Sequence, residues 1–112
     1  MEKLIKDEFR QLALDNSYLF YDKGLSPTRD SGDLSIRDPE TGLVYISPRP
    51  DKNLRIHNWR SIDIDDIVVM DIEGNIIETG ARRSPTVEAP MHLAIYKARS
   101  DIHAIIHSHA LY

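Results

Sequence analysis

The chain has 112 residues, with 14 basic and 18 acidic side chains and a formal net charge of −4 at pH 7. This length favours a single domain over residues 1–112, and the 41% hydrophobic and 29% charged residues are typical of a globular protein. The acidic balance argues against a nucleic-acid partner. No apolar run approaches the ~18 residues of a membrane span, so we expect a cytoplasmic protein without a membrane partner. Because cysteine is absent, any metal needs nitrogen and oxygen ligands.

The first half of the chain predicts a helix followed by a β-hairpin. Apolar residues at helical spacing indicate an amphipathic helix that ends near Gly24. Its predicted buried stripe consists of Ile5, Phe9, Leu12, Asn16 and Leu19, widened by Leu4, Ala13 and Phe20. Two short β patterns at residues 34–36 and 43–46 flank a turn at 38–42 that contains Pro and Gly, which is typical of a hairpin.

The second half predicts another hairpin, a helix and a final strand. Apolar, β-branched runs at 67–72 and 76–79 flank a Glu-Gly-Asn turn. Ser84 is expected to cap a helix that has Pro85 at its first position and runs to about Arg99. A β-rich segment follows at 102–110, and Trp59 is expected to be a packing residue. This order of elements predicts an α/β fold in which helices pack on an antiparallel-leaning sheet.

His107 and His109 lie two residues apart in the predicted last strand, so both side chains point to the same face. A His-x-His pair on a strand is a sensible half-site for zinc or another late divalent metal. On the residues alone, the alternative stays open that both histidines are polar residues on an exposed strand face. Ile105 shares their face, which suggests partial burial and raises the cost of leaving two imidazoles without partners.

Glu88 precedes His92 by four residues near the start of the second predicted helix. A carboxylate at this place could serve as a general base beside a metal site. Helix position alone favours the simpler reading, an acid that interacts favourably with the helix dipole. We expect His92 to be a packing residue with satisfied hydrogen bonds, and His57 and His103 to be surface residues.

Five segments of the sequence together resemble the class II aldolase/adducin family. They are residues 32–37, 45–48, 66–71 and 74–77 and the ordered run 88–110, which is the most specific. Their pattern is similar to that of fuculose-phosphate and rhamnulose-phosphate aldolases and ribulose-phosphate 4-epimerases. The resemblance implies an α/β/α three-layer sandwich around a mostly antiparallel sheet. It also implies a homotetramer with active sites between subunits.

The same resemblance implies roles for individual residues. His107 and His109 match two of the three zinc-binding histidines, and Glu88 matches the residue that acts as general acid and base. Zinc would provide Lewis-acid catalysis of the cleavage of a ketose phosphate, while Glu88 moves the proton. The implied substrate-binding positions are Gly32, Asp33, Ser47, Arg49, Thr86 and Val87.

The sequence departs from the family pattern at three places. Asp33 stands where the family has Asn, Arg49-Pro50 replaces Thr-Gly, and Thr86-Val87 replaces Ser-Ser. Asp33 adds a negative charge and Val87 removes a hydroxyl, whereas Arg49 could pair with an anion through two hydrogen bonds. A carboxylated or otherwise non-standard substrate therefore stays open.

No residue of the sequence can be assigned as the third zinc histidine, so the chain resembles the N-terminal part of a family member. We predict a zinc-dependent, aldolase-type lyase that acts on a small sugar phosphate or a related hydroxy-carbonyl acid, or an inactive N-terminal fragment of one. These 112 residues alone are expected to bind zinc poorly and to show no aldolase turnover. The alternative is a non-catalytic, adducin-like module for protein association.

Overall fold

The computed structural model describes residues 5–26, 32–49, 59–78 and 84–108. Two helices, five strands and a short 3-10 helix lie within these ranges. In chain order they are α1 (Asp7–Asp22), β1 (Asp33–Arg37), β2 (Val44–Ile46), the 3-10 helix (Ile64–Asp66), β3 (Val68–Met70), β4 (Ile76–Glu78), α2 (Ala89–Ala98) and β5 (Ala104–His107). Within the same ranges, neither α-helix has the length and apolar character needed to cross a membrane.

The five strands form one antiparallel sheet in the order β4-β3-β2-β1-β5. β1 pairs with β2 and β3 pairs with β4, so both predicted hairpins are confirmed. β5 follows α2 and pairs with the other side of β1, where Asp33 lies opposite His107 and Ser35 lies opposite Ile105. The last described segment of the chain therefore lies beside the first strand.

Each face of the sheet packs against one helix. On one face, α1 and the sheet form a cluster that includes Ala13, Leu14, Phe20, Leu34, Tyr45 and Val69, and Trp59 is buried in it as expected. On the other face, α2 and the sheet form a cluster of Val44, Ile46, Val68, Met70, Ala89, Leu93 and Tyr96. Because adjacent strand residues point to opposite faces, both sides of these strands are apolar. The expected three-layer α/β/α arrangement is confirmed.

The predicted buried stripe of α1 is wrong in part. Leu12 and Leu19 are 45% and 50% exposed, whereas Arg10 and Ser17 are buried. Arg10 forms an ion pair with Glu78 of β4, and Ser17 donates a hydrogen bond to a carbonyl of its own helix at 2.9 Å. Because these polar side chains have partners inside the protein, they occupy the buried face, and the helix is rotated from the orientation that its apolar residues predict.

The predicted start of the second helix is also wrong. Ser84 does not cap it and Pro85 is not its first residue, because α2 starts at Ala89. The preceding segment is extended and pairs with the chain after β2, where the N–H of Thr86 donates to the carbonyl of Ser47 at 3.0 Å. This pairing satisfies backbone groups that a longer helix would otherwise use.

Candidate active site

β1 and β5 bring two ionisable side chains together on the face that α2 covers. Asp33 and His107 form a cross-strand pair, and Ser35 and Ile105 form the next pair on the same face. Ile105 packs against the apolar cluster beneath α2, so the expected partial burial of this face is confirmed. A carboxylate and an imidazole thus meet at the edge of an apolar layer.

His92 of α2 is fully buried, and both of its ring nitrogens have polar partners. Its Nδ1 lies 2.7 Å from Ser35 Oγ, and its Nε2 is hydrogen-bonded to Asp33 Oδ1. Ser35 Oγ also lies 2.7 Å from the hydroxyl of Tyr96. The second oxygen of Asp33, Oδ2, lies 3.3 Å from Nδ1 of His107. We call this connected set, Tyr96, Ser35, His92, Asp33 and His107, the buried polar network.

The hydrogen bonds of His92 confirm that it is a satisfied packing histidine. Sequence reasoning missed its partner Ser35, and it missed Tyr96, which is hydrogen-bonded to Ser35. A signal for both existed, because Ser35 shares a strand face with Asp33 and Tyr96 lies four residues after His92 on one helix. Burial raises the pKa of Tyr96, and the opposing effects of the Ser35 hydrogen bond and of nearby Arg37 are smaller. The phenol is therefore a neutral group that can donate a hydrogen bond.

His107 is half-buried at the end of β5, which starts at Ala104 rather than at the predicted residue 102. The second predicted metal ligand, His109, lies outside the described residues, as does His57. His103 is exposed, as expected. In the part of the chain that the structure describes, no group of three side chains converges in a way that could hold a metal ion.

Glu88 immediately precedes α2 and is half-buried. Its carbonyl accepts hydrogen bonds from the N–H groups of Met91 and His92 at 3.0 and 3.2 Å. Its carboxylate makes no capping hydrogen bond to the helix. The predicted four-residue relation between Glu88 and His92 is therefore made by backbone atoms, and the carboxylate is not used to satisfy the helix end.

Two of the predicted substrate-binding residues, Arg49 and Val87, are exposed and line an open pocket of about 350 Å³ at the start of α2. Thr86 also lines this pocket, and its hydroxyl accepts a hydrogen bond from the N–H of Glu88 at 3.4 Å. The structure thus gathers an arginine, a hydroxyl and an apolar side chain around one pocket at the start of α2.

The remaining predicted substrate residues are buried or lie at a loop close to β5. Ser47 is buried, and its hydroxyl accepts a hydrogen bond from the N–H of Leu34 at 3.1 Å. Asp33 is buried within the polar network, with each carboxylate oxygen facing a histidine nitrogen. Gly32 has a positive φ of 84° and precedes β1. A substrate contact by Asp33 or Ser47 therefore remains an inference from the sequence pattern.

The family model described as "Class II Aldolase and Adducin N-terminal domain" matches residues 13–112. The chain belongs to the class II aldolase and adducin family, as its sequence segments indicated. Its three-layer fold agrees with this membership.

Named relatives of this chain are sugar-phosphate enzymes. A 5-deoxy-D-ribulose 1-phosphate aldolase from Bacillus thuringiensis serovar kurstaki is 37% identical over 81 residues, which are 72% of this chain and 34% of the relative. A methylthioribulose-1-phosphate dehydratase from Pseudomonas fluorescens is 26% identical over 108 residues, or 96% of this chain and 47% of the relative.

A solved structure of an L-fuculose 1-phosphate aldolase superimposes on this chain with a TM-score of 0.82 and 34% sequence identity. The match covers 96% of this chain and 47% of that structure. The chain thus spans between a third and a half of the length of the relatives described here.

Proposed function

We propose that the protein is a metal-dependent, aldolase-type lyase that acts on a small sugar phosphate or a related hydroxy-carbonyl acid. The observation that carries this proposal is the position of His107, which ends β5 beside a buried carboxylate in a member of a family of sugar-phosphate enzymes. The family resemblance adds two further expectations to this proposal, a homotetramer and a cytoplasmic location.

The predicted metal ligands have the chemistry that zinc requires. His107 and His109 offer imidazole nitrogens, which suit zinc and other late divalent metals. The two histidines are two positions apart in the sequence, the spacing of side chains on one face of a strand, and His107 lies opposite Asp33. When bound, zinc would supply Lewis-acid catalysis at the carbonyl group of the substrate.

The residues at the start of α2 fit the handling of the substrate and its proton. We assign proton transfer to Glu88, whose half-buried carboxylate is not used in capping. Arg49 and Thr86 line the adjoining pocket, where a guanidinium and a hydroxyl suit a phosphate or a carboxylate on the substrate. Val87 contributes an apolar side chain to the same pocket. Among the described residues that line it, Arg49 is the charged one.

The metal content of the purified full-length protein tests the ligand assignment. His107→Ala and His109→Ala should each remove zinc, because a two-histidine half-site loses half of its donors. His103→Ala is the matched control, since His103 is exposed just before β5 and should leave the zinc content unchanged. Unchanged zinc in both site variants would contradict the assignment. A protein with neither metal nor turnover would instead favour the adducin-like association module.

The role of Glu88 is tested with Glu88→Gln in the same full-length protein. This variant should keep most of its metal but lose proton exchange on the substrate by ~10²–10⁴-fold, the usual contribution of a general acid or base. Glu8→Gln serves as the control, because Glu8 is exposed on α1 in the opposite layer. Near-normal turnover of Glu88→Gln would rule out the proton-transfer role.

A further inference from the structure

We propose that Asp33 and His92 are positioning residues for the metal-binding histidine, an inference that rests on the proposed function. In this arrangement Asp33 holds the ring proton of His107 at Nδ1, so that the lone pair of the ring lies at Nε2, the nitrogen offered to the metal. His92 in turn holds Asp33 in place from the opposite side. The buried polar network thus sets the tautomer and the orientation of His107.

With neutral imidazoles and an ionised Asp33, the hydrogen bonds between these residues define which ring nitrogens carry the protons. An ionised carboxylate accepts hydrogen bonds and cannot donate them. Nδ1 of His107 and Nε2 of His92 must therefore both carry protons, because each faces an oxygen of Asp33. A neutral imidazole has one N–H, so each ring bears its lone pair on its other nitrogen.

The hydrogen bond at the other ring nitrogen of His92, Nδ1, agrees with a proton on Nε2. Its Nδ1, which bears the lone pair, lies 2.7 Å from Ser35 Oγ and accepts the proton of that hydroxyl. Ser35 Oγ in turn accepts from the hydroxyl of Tyr96, also at 2.7 Å. Tyr96, Ser35 and His92 therefore form a directed chain of donors that ends on Asp33. Every one of these hydrogen bonds has one donor and one acceptor.

The position of Asp33 explains why it acts on His107 specifically. The two residues are directly opposite each other in adjacent antiparallel strands, so the carboxylate reaches the ring without distorting either strand. The Asp33 side chain is 3% exposed, and an ion so deeply buried requires partners. An amide at this position would present its oxygen to one histidine and its NH2 group, which is a donor, to the other.

A carboxylate that accepts from the second nitrogen of a metal-bound histidine fixes the tautomer and raises the basicity of the ligand. Loss of such a partner typically lowers metal affinity by ~10–100-fold. This is the effect that we expect from Asp33. The buried negative charge would also favour a divalent cation at the end of β5.

The first measurement is the tautomer of His107 in metal-free full-length protein, read from the imidazole ¹⁵N chemical shifts of histidine-labelled samples in mildly alkaline buffer. The wild-type protein should show His107 and His92 protonated at Nδ1 and Nε2, respectively. In Asp33→Asn, at least one of the two rings should change its tautomer. In Asp33→Ala, the Nδ1–H form of His107 should be lost.

The second measurement is zinc affinity by competition with a chelator. Asp33→Ala should bind zinc ~10–100-fold more weakly than the wild-type protein. Asp38→Ala is the matched control, because Asp38 is an equally buried carboxylate that pairs with Lys6 of the α1 layer. This control should keep the tautomer of His107 and the zinc affinity even where it lowers stability.

Three results would overturn the inference. One is a wild-type His107 protonated at Nε2, and another is a pair of tautomers that neither Asp33 variant alters. The third is an unchanged zinc affinity in Asp33→Ala. If the wild-type protein took up no zinc, the proposed function would fail, and the tautomers would still decide whether Asp33 positions His107.

Discussion

Gly32 directly precedes β1 and lies against the backbone of His107 on the neighbouring strand β5. Its backbone has a φ of 84°, a conformation that residues with a side chain rarely adopt. A Cβ atom at this position would lie 2.5 Å from Cζ of Phe20 and 2.7 Å from the carbonyl oxygen of His107. The absence of a side chain therefore lets Phe20 of α1 and the backbone of β5 lie directly against the chain at Gly32.

This close approach predicts an unusually costly Gly32→Ala substitution. Gly42→Ala is the matched control, because Gly42 has a similar φ of 78° but no atom within 4 Å of an added Cβ. Both variants are destabilised by the unfavourable φ of an alanine at these positions. The difference between their losses of unfolding free energy therefore measures the steric clash at Gly32. Gly32→Ala should lower the free energy of unfolding by ~1–3 kcal/mol more than Gly42→Ala, as overpacking usually does. Urea unfolding of both variants measures this, and equal losses would contradict the close packing.

The residues of the candidate site were predictable to different degrees. The His-x-His spacing singled out His107 because ligand spacing is a local pattern. The contact of His92 with Asp33 joins residues 59 positions apart, and no local period encodes such a distance. Sequence reasoning could therefore nominate candidate ligand and proton-transfer groups but not the hydrogen-bond network around His107.

The predicted helices and strands match the structure wherever the local sequence pattern and the tertiary packing favour the same element. Strands β1 to β4 were found because apolar, β-branched runs bounded by turn residues are a strong local signal. The face of α1 was misjudged because Arg10 is buried against Glu78, a partner on a distant strand. The start of α2 was predicted wrongly because Ser84 does not cap the helix. Its carbonyl instead accepts a hydrogen bond from the N–H of Arg49, in the chain after β2.

The two helix starts give a prediction about capping. Ser84→Ala should change the free energy of unfolding by less than ~0.5 kcal/mol, because Ser84 is exposed and lies outside α2. Asp63→Ala should cost ~0.5–2 kcal/mol, because Asp63 forms a reciprocal capping box with Asp66 at the 3-10 helix. Chemical denaturation of both variants provides the comparison. A Ser84 variant as damaging as the Asp63 variant would mean that Ser84 does support the helix.

At the scale of the whole molecule, Lys6 and Asp38 connect the α1 layer to the sheet. Lys6 precedes α1, and its Nζ lies 2.9 Å from Oδ2 of Asp38 in the turn between β1 and β2. Its N–H also donates to the hydroxyl of Tyr45 at 2.8 Å. Asp38 accepts further hydrogen bonds from the N–H of Glu40 at 2.9 Å and from the Thr41 hydroxyl at 3.0 Å. The turn and the helix therefore share one buried carboxylate.

The charge of Asp38 makes the stability of the fold depend on pH in the acidic range. Burial raises the pKa of Asp38, but the hydrogen bonds from Lys6, Glu40 and Thr41 outweigh it and hold the pKa below its ordinary value. A carboxyl group with a lowered folded-state pKa stabilises the protein fully above its unfolded pKa of ~3.9. That stabilisation is lost as the pH falls through the folded-state pKa. The raised pKa of Lys6 has no effect in this range, because Lys6 stays charged in both states.

Asp38→Asn should therefore lower the free energy of unfolding by ~1–3 kcal/mol at neutral pH, since it removes charge-assisted hydrogen bonds from a buried group. The gap to the wild-type protein should narrow as the pH falls below ~3.9, because the wild-type carboxyl then becomes protonated as well. Asp101→Asn is the control with the same direction of pKa shift, but its side chain is 65% exposed beside Arg99, so stability should hardly change. Urea unfolding at a series of pH values measures all three proteins. A gap between Asp38→Asn and wild type that stays constant down to the lowest pH would show that hydrogen bonding, and not the charge of Asp38, joins the helix to the sheet.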